Sequence, residues 1–214
     1  MQWTHDGTIR NALWIGGGQW AGKTTVGSML TSRYDLVHYH CDYHDARGHE
    51  DRRVAARARR REAAPDWAAY WTELTCQEMV ERALENFTEQ FSWVLDDLRA
   101  LVSRRPVLAD GWNLRPDLVA TVADDLRRMV VLVPTDEWRQ RQAETLPRAA
   151  RFGMDLPDPA RVRQRRLERD RVLATDAAER ARALGIRVIE VDGTRDVESV
   201  TNEVARHFAA FTTG

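Results

Sequence analysis

Gly17-Gly18-Gln19-Trp20-Ala21-Gly22-Lys23-Thr24 fits the pattern GxxxxGK(S/T) at every fixed position, and the flanking residues supply the context that gives the pattern meaning. A short apolar run, Ala12 to Ile15, precedes it and predicts a strand; a helical pattern, Thr25 to Leu30, follows. In that setting glycine lets backbone N–H groups turn inward, and the N-terminus of the next helix adds its dipole, so the loop is a cradle for phosphate. Gly17, Gly18, Gln19, Trp20, Ala21, Gly22, Lys23, Thr24 and Thr25 are therefore the candidate nucleotide-binding residues. Lys23 is placed to bridge the β- and γ-phosphates, and the Thr24 hydroxyl to ligate magnesium.

Composition sharpens the reading of Lys23. Of 32 basic residues, 31 are Arg and Lys23 alone is Lys. A guanidinium is wide, planar and forked, whereas an ammonium is compact. The single lysine stands where a tight cradle needs the smaller cation.

The bulk properties narrow the rest. At 214 residues the chain is long enough for one sizeable core, and we expect a single domain over 1–214. Basic and acidic residues balance at 32 against 33, so the total charge calls for neither nucleic acid nor an anionic membrane as partner. No leader-like N-terminus and no run of 18 apolar residues stand out, and the two cysteines, Cys41 and Cys76, are too few for a disulfide framework. A cytoplasmic protein, monomeric or homodimeric, is the expectation.

Apolar runs at Ala12–Ile15, Leu36–Cys41, Val107–Ala109, Met129–Val133 and Val188–Val191 predict five buried strands. Helical patterns lie between them, which makes the fold α/β with a parallel sheet covered on both faces. The plainest helix spans about Cys76 to Val102, with apolar residues from Met79 to Leu101 at three- and four-residue steps, and the last spans about Val197 to Phe211. About 65 residues separate the second and third strands. A structureless loop of that length is improbable on physical grounds, so 43–105 is expected to be a helical, substrate-binding insertion. Its Arg52, Arg53, Arg57, Arg59, Arg60 and Arg61, followed by Trp67, Tyr70 and Trp71, read either as a solvated helix with an aromatic edge or as a grip on an anionic or aromatic substrate.

With cradle, strands and helices in this order, the chain resembles the P-loop small-molecule kinases, the group of shikimate, gluconate and adenylate kinases and chloramphenicol phosphotransferase. The resemblance spans most of the chain and is specific at the cradle. It implies ATP as donor with magnesium, a five-stranded sheet ordered 2-3-1-4-5, and an acceptor lying over the carboxyl ends of the strands, where open α/β sheets bind ligands.

The resemblance also implies site residues. Asp42, in His38-Tyr39-His40-Cys41-Asp42-Tyr43-His44, matches the carboxylate that takes the acceptor's hydroxyl proton; the alternative is a strand-end or helix-capping residue. Period-two alternation puts His38, His40 and Asp42 on one side of the second strand and Cys41 on the other, so these residues do not converge on zinc; His44 is the likeliest histidine to line the substrate cleft. Asp110, at the tip of the apolar run Val107–Ala109, has the form of a Walker B acid that holds magnesium, unless Asp110-Gly111 is only a turn. Arg115 follows as a weaker substrate contact. An Arg-rich lid is expected over 148–171, with Arg166 and Arg169 on one helix face and closing on the transferring phosphate; a salt-bridged surface helix is the alternative. Arg195, after the fifth strand, falls where similar kinases wrap the base.

The resulting expectation is transfer of the γ-phosphate of ATP to a hydroxyl of a small molecule. A nucleotide kinase or an ATP- or GTP-hydrolysing switch remains open, although no guanine-reading NKxD segment is present.

Overall fold

The computed structural model describes residues 7–101 and 103–212, with the side chains at 148 and 150 outside the described set. In chain order the elements are α1 (Gly7–Arg10), β1 (Leu13–Gly17), α2 (Lys23–Tyr34), β2 (Val37–His40), α3 (Cys41–His44), a π-helical turn (Asp45–His49), α4 (Glu50–Arg60), α5 (Trp67–Thr72) and α6 (Cys76–Ala100). They continue through β3 (Val107–Asp110), α7 (Pro116–Val119), a 3-10 turn (Leu126–Arg128), β4 (Met129–Pro134), α8 (Asp136–Thr145), α9 (Pro147–Ala150), α10 (Pro159–Ala183), β5 (Arg187–Val191) and α11 (Val197–Thr212). The five strands pair in parallel in the order β2-β3-β1-β4-β5.

β1 is buried along its whole length because it lies mid-sheet with helices on both faces. Pleat alternation still sorts its side chains. Trp14 packs into the core that α6 and α10 share, with Phe91, Val94, Leu98, Ala177 and Ala181. Leu13 and Ile15 enter the opposite core with Val26 and Leu30 of α2 and Val200, Val204 and Phe208 of α11. β4 divides the same way, Met129, Val131 and Val133 to the first core and Val130 and Leu132 to the second.

The long β2–β3 connection is helical, but it is not all insertion. A parallel β2–β3 pair requires a crossover, and α6 supplies it. Its start is fixed by a capping box, in which the Thr75 side chain accepts from the Glu78 N–H while Glu78 reaches back to the Thr75 backbone. Caps of this kind contribute about 1 kcal/mol. The helix ends at Ala100, and Val102, where the sequence pattern places its end, lies outside the described residues. Three arginines of α4 are engaged internally, Arg52 with Asp97, Arg53 with Asp45 and Glu50, and Arg57 with Glu50, while Arg59 and Arg60 in its last turn are exposed.

The sheet switches direction at β1: α2 leads to β2 on one side, and β4 and β5 lie on the other. The crevice at such a switch is bounded by the carboxyl ends of β1 and β3. Among the described residues, no helix is long and apolar enough to cross a membrane.

Candidate phosphate-transfer site

The loop after β1 takes the backbone shape that its sequence requires. Gly17 has φ 117° and Gly22 φ 76°, conformations that glycine adopts at little cost. A side chain at Gly17 would strike the Leu132 carbonyl, while the space above Gly22 is open. The Gly18 N–H donates to Leu132 O at 2.9 Å and ties the loop to β4. α2 then starts at Lys23 with no side-chain cap on its first N–H groups, which leaves them directed into the loop.

Lys23 is buried, and its Nζ donates to the Gly18 carbonyl at 2.6 Å within this loop. Burial lowers its pKa; the carboxylates of Asp42, Asp110 and Asp170 act in the opposite direction without cancelling that effect. A buried ammonium facing three acids and a glycine-rich loop is a cation poised for an anion.

Asp110 ends β3 beside Ile15 of β1 and His40 of β2. Its carboxylate divides its work. Oδ2 accepts from the Thr24 hydroxyl at 2.9 Å. Oδ1 accepts from His38 Nε2 at 2.6 Å, and His40 Nδ1 lies 3.3 Å from the same oxygen, off the line of a well-formed hydrogen bond. Burial by itself would raise the Asp110 pKa, but the two histidines overcome it and hold the group below the usual carboxylate range. The contact with Asp110 in turn raises His40. The ring of His38 fits because residue 27 of α2 is glycine: a Cβ there would meet His38 Nε2 at 2.9 Å.

The sequence-predicted magnesium ligands thus meet. Thr24 and Asp110 supply two hard oxygen donors at the start of α2, a set that suits magnesium, which binds through one or two protein oxygens plus phosphate and water. Among the described residues no group of three or more His, Cys, Asp or Glu is arranged around a metal position.

Asp42 is not at a strand end. β2 stops at His40, and Cys41–His44 forms a helical turn, so alternation no longer applies beyond His40: His38 and His40 both reach Asp110, while Asp42 sits in the first turn of α3. It keeps contact with solvent at the mouth of the crevice, yet the atoms packed around it raise its pKa, an effect that Lys23 and His40 partly offset. His44 stacks on Tyr39 at 4.1 Å between centroids, and its Nδ1 lies 3.8 Å from Asp97.

Other expected residues are engaged away from the crevice. Arg115 is 3 % exposed; it donates to Leu173 O at 3.0 Å and pairs with Asp176, so it supports α10 instead of contacting substrate. Burial lowers its pKa, and Asp176 opposes that. The exposed Arg195 pairs with Glu203 and donates to the Glu190 carbonyl, which places it along α11 instead of over a base.

The expected lid is only partly a loop. Beyond Asp158, which caps it, the Arg-rich stretch is the first half of the 25-residue α10. The side chain of Arg148 lies outside the described residues. Arg166 lies 5.0 Å from the Trp20 ring and 3.9 Å from that of Phe152, bordering a cavity of about 350 Å³ beside the phosphate loop. Arg169 instead is buried and pairs with Asp170 at 2.7 Å, its guanidinium over Trp71 and Trp112. Its charge is neutralised within the fold and is not presented to the crevice. Sequence reasoning missed Gly27 and Asp170, and it placed His38 on the Asp42 side of the second strand without foreseeing its bond to Asp110. An acid between Arg169 and Arg171 reads as local neutralisation, and no sequence signal separates that from a buried hub.

No protein-family model matches the chain, and no curated protein matches it in sequence. Among solved structures, similar ones include a gluconokinase from Sinorhizobium meliloti, at 12 % identity and a TM-score of 0.47 over 95 % of this chain and 94 % of that one. A shikimate kinase from Aquifex aeolicus matches at 18 % identity and a TM-score of 0.44 over 95 % and 99 %.

Proposed function

We propose that this chain is an ATP- and magnesium-dependent phosphotransferase that moves the γ-phosphate to a hydroxyl of a small molecule. The observation that carries the reading is the Thr24–Asp110 hydrogen bond of 2.9 Å at the base of a glycine-rich loop that also buries the chain's one lysine. In this reading the loop N–H groups and Lys23 hold the β- and γ-phosphates, and Thr24 and Asp110 hold magnesium. Magnesium, when bound, would neutralise charge on the phosphate oxygens. Asp42 aligns the acceptor hydroxyl and takes its proton late, as a base whose raised pKa brings it nearer to the pH at which it works. Arg166, beside Trp20 and 3.8 Å from Asp170, supports the loop from the α10 side and, being less buried than Arg169, is the one of the two arginines better placed to meet the transferred group. The internal pairing of Arg52, Arg53 and Arg57 removes those three from contact with a phosphate-bearing acceptor, which leaves exposed Arg59, Arg60 and Arg61 as the arginines a nucleotide-kinase reading would need. We place the protein in the cytoplasm, with a small-molecule acceptor as its partner.

The test is ADP formation from ATP and magnesium with and without a panel of small alcohols, with the phosphorylated product followed by phosphorus NMR. Acceptor-dependent turnover with label in an organic phosphate supports transfer. Equal ADP release with every alcohol and with none identifies a hydrolytic switch instead.

A further inference from the structure

Four non-glycine residues among those described have positive φ: Trp20, Asp35, Arg61 and Asp158. Asp35 and Arg61 follow α2 and α4, where such backbone is ordinary, and Asp158 is the N-cap of α10, held by its side chain accepting from the Arg161 N–H. Trp20 caps nothing. It lies within the phosphate loop at φ 71°, a conformation that strongly disfavours a bulky side chain and persists only where the surroundings over-determine it.

What holds it is visible. The indole is 7 % exposed, its Nε1–H donates to Asp170 Oδ2 at 3.3 Å, and Arg166 lies over the ring. Asp170 is 1 % exposed, and its other oxygen accepts from Arg169 at 2.7 and 3.2 Å. Arg169 in turn lies 4.7 Å from the Trp71 ring and 5.2 Å from that of Trp112, and its Nη1 is 3.4 Å from the Tyr70 hydroxyl. A continuous chain of contacts therefore runs from the loop through one buried carboxylate and one buried guanidinium to α5 and to Trp112, two residues past Asp110. A glycine at position 20 would adopt this backbone freely but would carry none of those contacts.

We propose that the Trp20 side chain is a positioning residue that fastens the phosphate loop to the packed aromatic cluster of Tyr70, Trp71 and Trp112 through the Asp170–Arg169 pair. The proposal rests on the reading that the loop binds nucleotide phosphates. The strained loop is held in its phosphate-binding shape only while the pair is in place, so a change at the aromatic cluster alters nucleotide affinity without touching the nucleotide.

The test is calorimetric titration of the full-length chain with ADP and magnesium, in variants whose melting temperature and circular dichroism are recorded alongside. Trp20→Phe keeps most of the ring and deletes one N–H donated to a charged acceptor, and ADP binding is expected to weaken on the order of ten-fold. Tyr70→Phe deletes one hydroxyl remote from the loop and is expected to weaken ADP binding several-fold, with the double variant weaker than wild type by less than the product of the two. Wild-type ADP affinity in Tyr70→Phe, or strictly multiplicative effects in the double variant, overturns the coupling. If Trp20→Phe fails to fold, Tyr70→Phe alone decides by the same criterion. Lys23→Ala separates the two readings: lost ADP binding in Lys23→Ala with unchanged binding in Trp20→Phe refutes only the role of Trp20, whereas wild-type binding in Lys23→Ala refutes the phosphate loop itself.

Discussion

Asp110→Asn changes two atoms at the point where β3, β2 and α2 converge, and its cost follows from the contacts of the carboxylate. The wild-type group accepts at both oxygens, from Thr24 at 2.9 Å and His38 at 2.6 Å, with His40 at 3.3 Å. An amide has one acceptor oxygen and one NH2, so with its oxygen kept toward His38 the Thr24 hydroxyl must turn to accept from the NH2, and both hydrogen bonds lose the charge of the acceptor. A hydrogen bond to a charged group contributes about 1.5–3 kcal/mol net, and a buried unpaired donor costs about 1–3 kcal/mol, so we expect a loss of about 2–4 kcal/mol after local rearrangement. The loss should depend on pH with a definite sign. Asp110 has a depressed folded pKa, so its contribution is present above its unfolded value near 3.8 and lost as pH falls toward the folded value. His40 has a raised folded pKa, so its contribution is fully present below 6.5 and lost as pH rises through the folded value. The gap between wild type and Asp110→Asn should therefore be widest on the mildly acidic side and narrow as the solution becomes basic. Urea unfolding at about pH 5 and about pH 8, with the m-value checked for constancy, measures it. A gap below about 1 kcal/mol, the level of one ordinary neutral hydrogen bond, or one that widens with rising pH, would refute the reasoning.

Lys23→Arg should lose nearly all phosphoryl transfer, because a fork cannot occupy the space in which Nζ reaches Gly18 O; normal turnover would sink this. Asp42→Asn should bind ATP as wild type does yet lower kcat on the order of 10²- to 10⁴-fold, and should remove the acidic limb of the pH–rate profile, which in wild type rises through a pKa above the ordinary carboxylate value; an unchanged limb assigns the base elsewhere. Titration with magnesium should partly restore Asp110→Asn and leave Asp42→Asn unchanged, and the reverse pattern exchanges their roles. Arg115→Ala should destabilise the fold by about 2 kcal/mol, since it removes a buried guanidinium and its hydrogen bond to Leu173 O while the partly exposed Asp176 keeps Arg180 as partner, with the acceptor KM unmoved; a KM effect at constant stability would return Arg115 to the crevice.

Local chemistry was legible in the sequence alone. The loop from Gly17 to Thr24 declares itself because fixed spacing, glycine conformational freedom and one compact cation are all encoded within eight residues. The five strands were legible for a related reason, since a buried parallel strand leaves a short apolar run wherever it occurs, and the observed bounds differ from the runs by a residue or two. The helical character of 43–105 followed from length alone. What the sequence could not reveal depends on residues that are far apart in it. Period-two alternation carried Asp42 onto β2 because nothing local announces that the chain turns helical at Cys41. Arg115 and Arg169 read as available cations because a guanidinium is hydrated by default; only packing against Asp176 in one case, and against Asp170, Trp71 and Trp112 in the other, buried and neutralised them. Nothing local marks Gly27; its missing side chain matters only because His38 of β2 lies against α2 at that position. The sequence determined which groups are the candidates to bind phosphate, because they lie within eight consecutive residues. The tertiary structure decided which charges remain to act on it, because burial and pairing are properties of neighbours that only folding supplies.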